Sequence, residues 1–322
     1  MGVNFRDLLP YEAIDFERLK RKTIAIDGMN SVYQFLSTIR QPDGTPLMDS
    51  EGRVTSHLSG LFYRTIRLLG KEIKPIYVFD GKPPDLKRVE IRRRSELKDE
   101  ARREWDKALR EDRIEDAGKY AKRTSRFTEE MVAECKTLLD YMGVPYVQAP
   151  SEGEAQCVRL CQGGDAWAVG SQDYDSLLLG AQNLVRGLTL SGKYELSLIK
   201  LEAVLDSLKI TREQLVDMAI LIGTDFNKGL RGVGPKKALK IVRGDGIGSV
   251  DLDVELDEVR SIFLEPEVVD DYDIEWRGPD GEGLLSFLCD DRGFSRDRIM
   301  RGYGNLESAY GELSQRDLSD WF

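Results

Sequence analysis

The chain has 322 residues, 41% hydrophobic and 32% charged, which is enough apolar content for a sizeable core in one large domain or two small ones. Its net charge of −10, taken globally, argues against a nucleic-acid partner, and the single histidine, His57, excludes His-based triads, H-x-H nucleases and His-rich zinc sites. Four cysteines (Cys135, Cys157, Cys161, Cys289) with no C-x-x-C pair read as reduced thiols of a cytosolic protein, and no apolar run approaches a membrane span.

The opening "MGVNFRDLLP" lacks signal-peptide character, and Arg6 stands where a myristoylation motif on Gly2 needs Ser or Thr, so a cytoplasmic chain is expected. "KTIAID" (22–27) predicts a buried strand, followed by helical patterns over 29–39 and 55–72. The second of these carries His57 in "TSHLSGLFYRTI", where a packing or surface role is expected. "KPIYVFD" (74–80) predicts a second strand. Residues 82–126 then hold 16 Lys and Arg against 11 Asp and Glu, a basic island that by itself reads as a solvated helix laced with i,i+4 pairs. Helices over about 128–142 and 152–162 alternate with strands "VPYVQAP" (144–150) and "AWAVG" (166–170). Continuously apolar strands alternating with helices imply an α/β fold with a mostly parallel sheet covered on both faces. The second half is mostly helical, clearest at 212–226, and the acidic 251–275 stretch and the last dozen residues are expected to be flexible.

Carboxylates follow every predicted strand. Asp27 closes the first, Asp80 the second, Glu152 and Glu154 follow the third, and Asp173 and Asp175 the fourth; Asp225, expected at the end of the apolar helix, is a seventh. In extended backbone, residues two apart point to one side, which would hold Asp173 and Asp175 together. Ligands of open α/β sheets bind outside the carboxyl ends of the strands, so these groups gather along one edge. Two carboxylates about 5 Å apart repel by about 3 kcal/mol at an effective dielectric of about 20, so the cluster calls for a cation. Oxygen-only ligands favour Mg²⁺ or Mn²⁺ over Zn²⁺, in number sufficient for two ions about 4 Å apart acting on a phosphodiester. An alternative for Glu152 and Glu154 stays open, because Ser151 with Glu154 fits a capping box.

Two further stretches carry physical content. In "GLRGVGPKKALKIV" (229–242), Gly232 and Gly234 allow a tight turn and Pro235 suits the first position of a helix. The free amides there, with Lys236 and Lys237, suit a backbone phosphate without base reading. The terminal "QRDLSDWF" ends in an apolar Trp-Phe pair that docks either on its own domain or on a partner.

"AIDGMNSVYQFL", "VFDGKPPDLK", "PSEGEAQC", "SQDYDSLLLG" and "GTDFNKGLRGVGPKKAL", in this order, resemble the flap endonuclease family in its archaeal form, and the likeness continues through "PDGEGLLSFLCDDRGFSRDRI". The resemblance implies a 5′-nuclease (PIN-like) fold over 1–310, with a helical arch at about 82–126, a helix–turn–helix duplex anchor at about 225–243, and a clamp-binding tail at 311–322. It implies removal of 5′ flaps from branched DNA in lagging-strand maturation and repair, 5′–3′ exonuclease activity, and a monomer. The family's metal ligands fall on Asp27, Asp80, Glu152, Glu154, Asp173, Asp175 and Asp225, without substitution. Lys87 and Arg94, seven apart and so expected on one helix face, match residues aimed at the scissile phosphate. Arg102, Arg103 and Arg110 would hold single-strand phosphates, and Gly2 is counted with the DNA contacts. Tyr33 matches a base-stacking aromatic, with a core tyrosine as the alternative. The helix–turn–helix implies a K⁺ ion, and Gln315, Leu318, Trp321 and Phe322 match the anchors of a sliding-clamp peptide. A non-catalytic DNA adaptor would need a broken carboxylate set, and small RNA-cleaving relatives lack the arch and the anchor. Sister nucleases usually carry a long insertion or tail, and its expected absence here favours flap processing.

Overall fold

Seven strands form one sheet among the described residues: β1 (Glu12–Ala13), β2 (Thr23–Asp27), β3 (Lys74–Phe79), β4 (Tyr146–Gln148), β5 (Ala168–Gly170), β6 (Asn183–Arg186) and β7 (Ser197–Lys200). This computed structural model describes residues 1–322 except 1, 2, 4, 6, 7, 112, 126, 189–194, 253 and 320–322, and except the side chains at 109, 114, 117 and 314–319. The spatial order is β1-β7-β6-β5-β2-β3-β4. β6, β5, β2, β3 and β4 are parallel, while β7 returns antiparallel on β6 and β1 pairs antiparallel with β7. The four expected strands are present. β1, β6 and β7 are additions, since runs as short as "NLVR" and "SLIK" carry too few residues to declare a period.

Alternation along β2 and β3 builds two cores. Ala25 pairs with Ile76 on one face, and Ile26 with Tyr77 on the other. The Ile26 face packs against α1 (Gly28–Thr38), α2 (Ser56–Leu69), α5 (Glu129–Met142), α12 (Gly281–Leu285) and α13 (Arg296–Ser319). The Ala25 face is covered by α6 (Gly153–Gly163), α7 (Asp175–Leu178), α8 (Leu201–Leu208), α9 (Arg212–Ile222), α10 (Pro235–Arg243) and α11 (Leu256–Leu264). Local signals set the helix ends. The Thr128 side chain caps α5, which stops at left-handed Gly143, and a reciprocal Thr211–Gln214 capping box opens α9.

The basic island becomes a hairpin of α3 (Arg88–Arg110) and α4 (Ile114–Ala121) with its own small apolar contact of Trp105, Ala108 and Ala121. Trp105 Nε1 donates to the Asp43 carbonyl at 3.2 Å, which ties the hairpin's far part to the loop after α1. The stretch expected to be flexible at 251–275 is instead docked along much of its length. Phe263 of α11 is buried, Arg260 makes two 2.8 Å bonds to the buried Asp217, and Gln156 exchanges two 2.8 Å bonds with the backbone of Val269. Its described acidic residues face outward while every few positions an apolar one reaches the core, a spacing that composition conceals. His57 is fully buried, with Nε2 2.7 Å from Glu134 Oε2, and Arg292 closes on the same carboxylate at 2.6 Å. No helix among the described residues is long and apolar enough to cross a membrane.

Candidate active site at the carboxyl edge of the sheet

β5, β2, β3 and β4 end side by side, so the segments that follow them meet at one edge, beyond the point where the chain reverses its strand order. A cleft of about 1600 Å³ opens there, and Asp27, Asp80, Glu152, Glu154, Asp173, Asp175 and Asp225 all line it. Lys87, Arg94 and Tyr33 line the same cleft from the hairpin side and from α1.

Each carboxylate is set by a different local device. Asp27 ends β2 and caps α1, its Oδ1 accepting from Asn30 N at 2.9 Å, while Asn30 Nδ2 donates to Asp173 Oδ2 at 3.0 Å. Asp80 follows β3, and its Oδ1 accepts from Gly153 N at 2.8 Å. A Cβ at position 153 would lie 2.5 Å from that oxygen, so only glycine lets the helix start come this close. The capping-box alternative for Ser151 is not realised: Glu152 is the N-cap of α6 and makes no side-chain cap bond. Glu154 Oε1 accepts from Ser171 Oγ at 2.6 Å and Ser176 Oγ at 3.3 Å.

Two expectations about backbone need correction. Asp173 and Asp175 are not on extended chain. Tyr174 is helical at the N-cap and Asp175 opens α7, so a turn rather than a strand brings the pair into the cleft. Buried Tyr174 anchors that turn, with Arg186 4.2 Å over its ring and Arg186 Nη1 2.5 Å from its hydroxyl. Asp175 Oδ1 accepts from Val3 N at 3.1 Å. Asp225 is not on a helix either. α9 stops at Ile222, Gly223 takes a φ of +111°, and Thr224 and Asn227 brace the loop that carries it.

The cluster is short of positive charge. Burial first, then Asp80 and Asp173, push Asp27 up to about 8. Burial with Glu152 pushes Asp80 up to about 6, and burial with Asp173 and Asp225 pushes Asp175 up to about 6, in each case against a backbone N–H that favours the charge. Burial and the neighbouring Asp175 hold Glu154 well above the usual range. Two basic side chains reach in. Lys87 donates to Glu152 and lies 4.0 Å from Asp225, and Arg94 Nη2 contacts both Asp225 oxygens at 2.6 and 2.7 Å. Burial works against the Lys87 charge, but Glu152, Asp80 and Asp225 together hold its pKa above the ordinary lysine value. Lys87 lies in a 3₁₀ turn (Asp85–Lys87) ahead of α3, so the two cations do not share one helix face as expected, although both reach the carboxylates.

The donor set is all oxygen, and seven carboxylates meet only the two cations Lys87 and Arg94 described above, which fits a hard divalent cation. Among the described residues no three His, Cys, Asp or Glu side chains yet converge at ligand distance. Each carboxylate is turned to a protein donor, so Asp225 and Glu152 would exchange Arg94 and Lys87 for the cation.

Tyr33 is half-buried at the cleft wall, not in the core; its hydroxyl donates to the Ser125 carbonyl at 2.5 Å, and Lys98 Nζ sits 4.5 Å over its ring. Arg102 and Arg103 are exposed and do not line the cleft; Arg102 stacks on Trp105 at 4.6 Å. The lining face of α3 runs through Arg94, Leu97, Lys98, Ala101 and Glu104, so the helical period turns 102 and 103 away. Lys98 and Glu90 on that lining were missed, and stepping by four in each direction from Arg94 would have found them. Gly232 takes a φ of +76° in the turn before α10, Gly234 is its N-cap, Pro235 its first residue, and Lys236 and Lys237 are exposed beside it. Gly2, Trp321 and Phe322 lie outside the described residues. Gln315 and Leu318 fall on the backbone of α13, with their side chains outside the description.

A carboxylate-lined cleft at the edge of this sheet, walled by a cationic helical hairpin, defines a nuclease of the XPG class. The chain matches the XPG N-terminal domain over residues 5–101 and the XPG I-region over residues 143–225. It is 50% identical to Flap endonuclease 1 of Pyrococcus horikoshii, across 100% of this chain and 98% of that protein. Among solved structures, flap endonuclease-1 from Methanococcus jannaschii aligns with a TM-score of 0.81 at 43% identity, covering 98% of this chain and 100% of the other. The catalytic core of Rad2 in complex with DNA substrate aligns with a TM-score of 0.75 at 25% identity, covering 95% and 100%. The chain belongs to the flap endonuclease family, whose nucleases are metal-dependent.

Proposed function

We propose that the protein removes single-stranded 5′ flaps from branched duplex DNA in lagging-strand maturation and repair, with accompanying 5′–3′ exonuclease activity. The observation that carries this reading is the meeting of all seven carboxylates in one cleft beneath an arch base that supplies Lys87 and Arg94. Two divalent cations held by the seven, Mg²⁺ by preference with Mn²⁺ as substitute, would supply an activated water and neutralise the attacking and leaving oxygens. Lys87 and Arg94 leave their carboxylates for the scissile phosphate and stabilise its developing charge. Tyr33 offers a ring on which a terminal base stacks, worth about 1–3 kcal/mol. Residues 1–310 act as the nuclease unit, with 82–126 as the arch.

The turn at Gly232 and Gly234, with Lys236 and Lys237, grips duplex phosphates and is the candidate site for K⁺; it selects substrate shape rather than sequence. Arg102, Arg103 and Gly2 are DNA contacts of lower rank. The tail 311–322, through Gln315, Leu318, Trp321 and Phe322, engages a sliding clamp, and the enzyme acts as a monomer.

A fluorescent double-flap DNA tests the core reading, with and without Mg²⁺, beside D175A and a substrate whose 5′ end is blocked. Cleavage at the junction that needs Mg²⁺, Asp175 and a free 5′ end is expected. A wild-type protein that binds the junction and never cuts it, in Mg²⁺ or Mn²⁺, would be a non-catalytic adaptor.

A further inference from the structure

Glu90 is one of several acidic side chains, with Asp85, Glu100 and Glu104, that line the cleft from the hairpin rather than from the sheet edge, and it is bonded directly to Arg94. It stands in the first turn of α3, with its side chain 19% exposed. Glu90 Oε1 accepts from Arg94 Nε at 2.8 Å and from Arg93 Nη2 at 2.8 Å, and Oε2 accepts from Arg93 Nε at 2.7 Å. One carboxylate is therefore shared by two guanidinium groups, at i+3 and i+4, the spacings that bring helical side chains together. Arg94 in turn is gripped at two points, Nε by Glu90 and Nη2 by Asp225.

We propose that Glu90 is a positioning residue: it holds the Arg94 guanidinium by its Nε while the Nη groups exchange Asp225 for the scissile phosphate. Arg93 cancels the charge of Glu90, so the three side chains together present one net positive charge. This rests on the reading of Arg94 as a phosphate-stabilising residue. The chemistry requires some such grip. If Asp225 held a cation it would no longer orient Arg94, and a long side chain released into a wide cleft would lose the alignment that makes it useful. Nε is the guanidinium nitrogen nearest the chain, so a bond there fixes the plane and leaves both terminal nitrogens to meet phosphate oxygens as a fork. A carboxylate without Arg93 would repel the same phosphate; with both of its oxygens bonded to Arg93, it acts as a neutralised hinge. An ordinary exposed i,i+4 pair would serve helix stability alone and would leave the reaction untouched.

The test is a double-mutant cycle read in single-turnover cleavage of the double-flap DNA, with substrate affinity measured separately in Ca²⁺. E90A is expected to slow cleavage about ten- to a hundred-fold while affinity stays within about three-fold, the pattern of an interaction used only in the transition state. In an R94A background E90A should change nothing further, whereas in a K87A background its full loss should persist. E90Q, which keeps an acceptor for Arg94 Nε, should recover most of the rate. In the cation-free protein the Arg94 Nε–H signal, seen by side-chain NMR, should exchange faster in E90A than in wild type. If R94A itself cleaves at the wild-type rate, the reading of Arg94 fails. If R94A is slow but E90A matches wild type, or adds its full loss to R94A, the positioning role fails while the Arg94 reading stands. A loss that follows a lowered unfolding midpoint and appears equally in both backgrounds also overturns it.

Discussion

Gly153→Ala separates the geometry of the carboxylate cluster from the stability of the fold. The new Cβ would lie 2.5 Å from Asp80 Oδ1, about 0.9 Å inside the 3.4 Å at which ordinary contact begins. Asp80 must withdraw by roughly that amount and lose its 2.8 Å bond to the residue 153 amide, a charge-assisted bond worth about 1.5–3 kcal/mol. Two terms offset this loss. Alanine is favoured over glycine in a helix by about 1 kcal/mol, and Asp80 moves out of a place where burial and Glu152 already disfavour its charge. The net cost to stability is about 1 kcal/mol, within reach of a urea titration followed by circular dichroism. Displacement of a reacting group by about 1 Å costs about a hundred-fold in rate, so single-turnover cleavage should fall about that far in a protein that is still folded. Raising Mg²⁺ or Mn²⁺ should recover part of the loss. A G153A enzyme that cuts within about three-fold of wild type would refute the reasoning, because Asp80 would then not need its observed position.

Other outcomes follow from the same contacts. In EDTA, Asp27, Asp80 and Asp175 have folded values above the ordinary carboxyl range. Protons therefore bind the native state more tightly, and the stabilisation they give is lost as pH rises through about 6 and then about 8. The metal-free protein should melt at lower temperature at pH 8 than at pH 5.5, and Mg²⁺ should raise the pH 8 midpoint more than the pH 5.5 one. Arg260→Ala leaves the buried Asp217 without its two 2.8 Å bonds and should cost about 3 kcal/mol in urea unfolding, partly restored by Asp217→Asn in the same chain. Replacing Lys236 and Lys237 together by alanine should weaken duplex binding about equally for all sequences. It should also lower the slope of log affinity against log salt by about 2, whereas an unchanged slope would remove the anchor role.

Much of this protein was legible in its sequence because the informative signals are local. A buried parallel strand is a short apolar run, and "KTIAID" and "KPIYVFD" each end on the carboxylate that the fold then uses. The parallel arrangement makes all such ends share an edge, so the carboxylate set could be assembled without coordinates. The helix start at Pro235 and the helical character of the basic island at 82–126 were readable for the same reason. Where local pattern is weak, the reading missed: β6 and β7 are four residues each, and the packing of 251–275 depends on single apolar side chains among many acids.

Tertiary structure decided what lies between elements. Ser151 and Glu154 spell a capping box, yet Glu152 takes the cap, because Glu154 is held by two serines from another part of the chain. Arg102 and Arg94 are alike in sequence, but the helical period and the path of α3 send one toward solvent and Trp105 and the other to Asp225. Sequence determined which charges this protein carries and at which strand ends. Only folding decided which carboxylate meets which cation, since a pairing over 131 positions, as between Arg94 and Asp225, is set by how whole layers pack and leaves no mark in either segment alone.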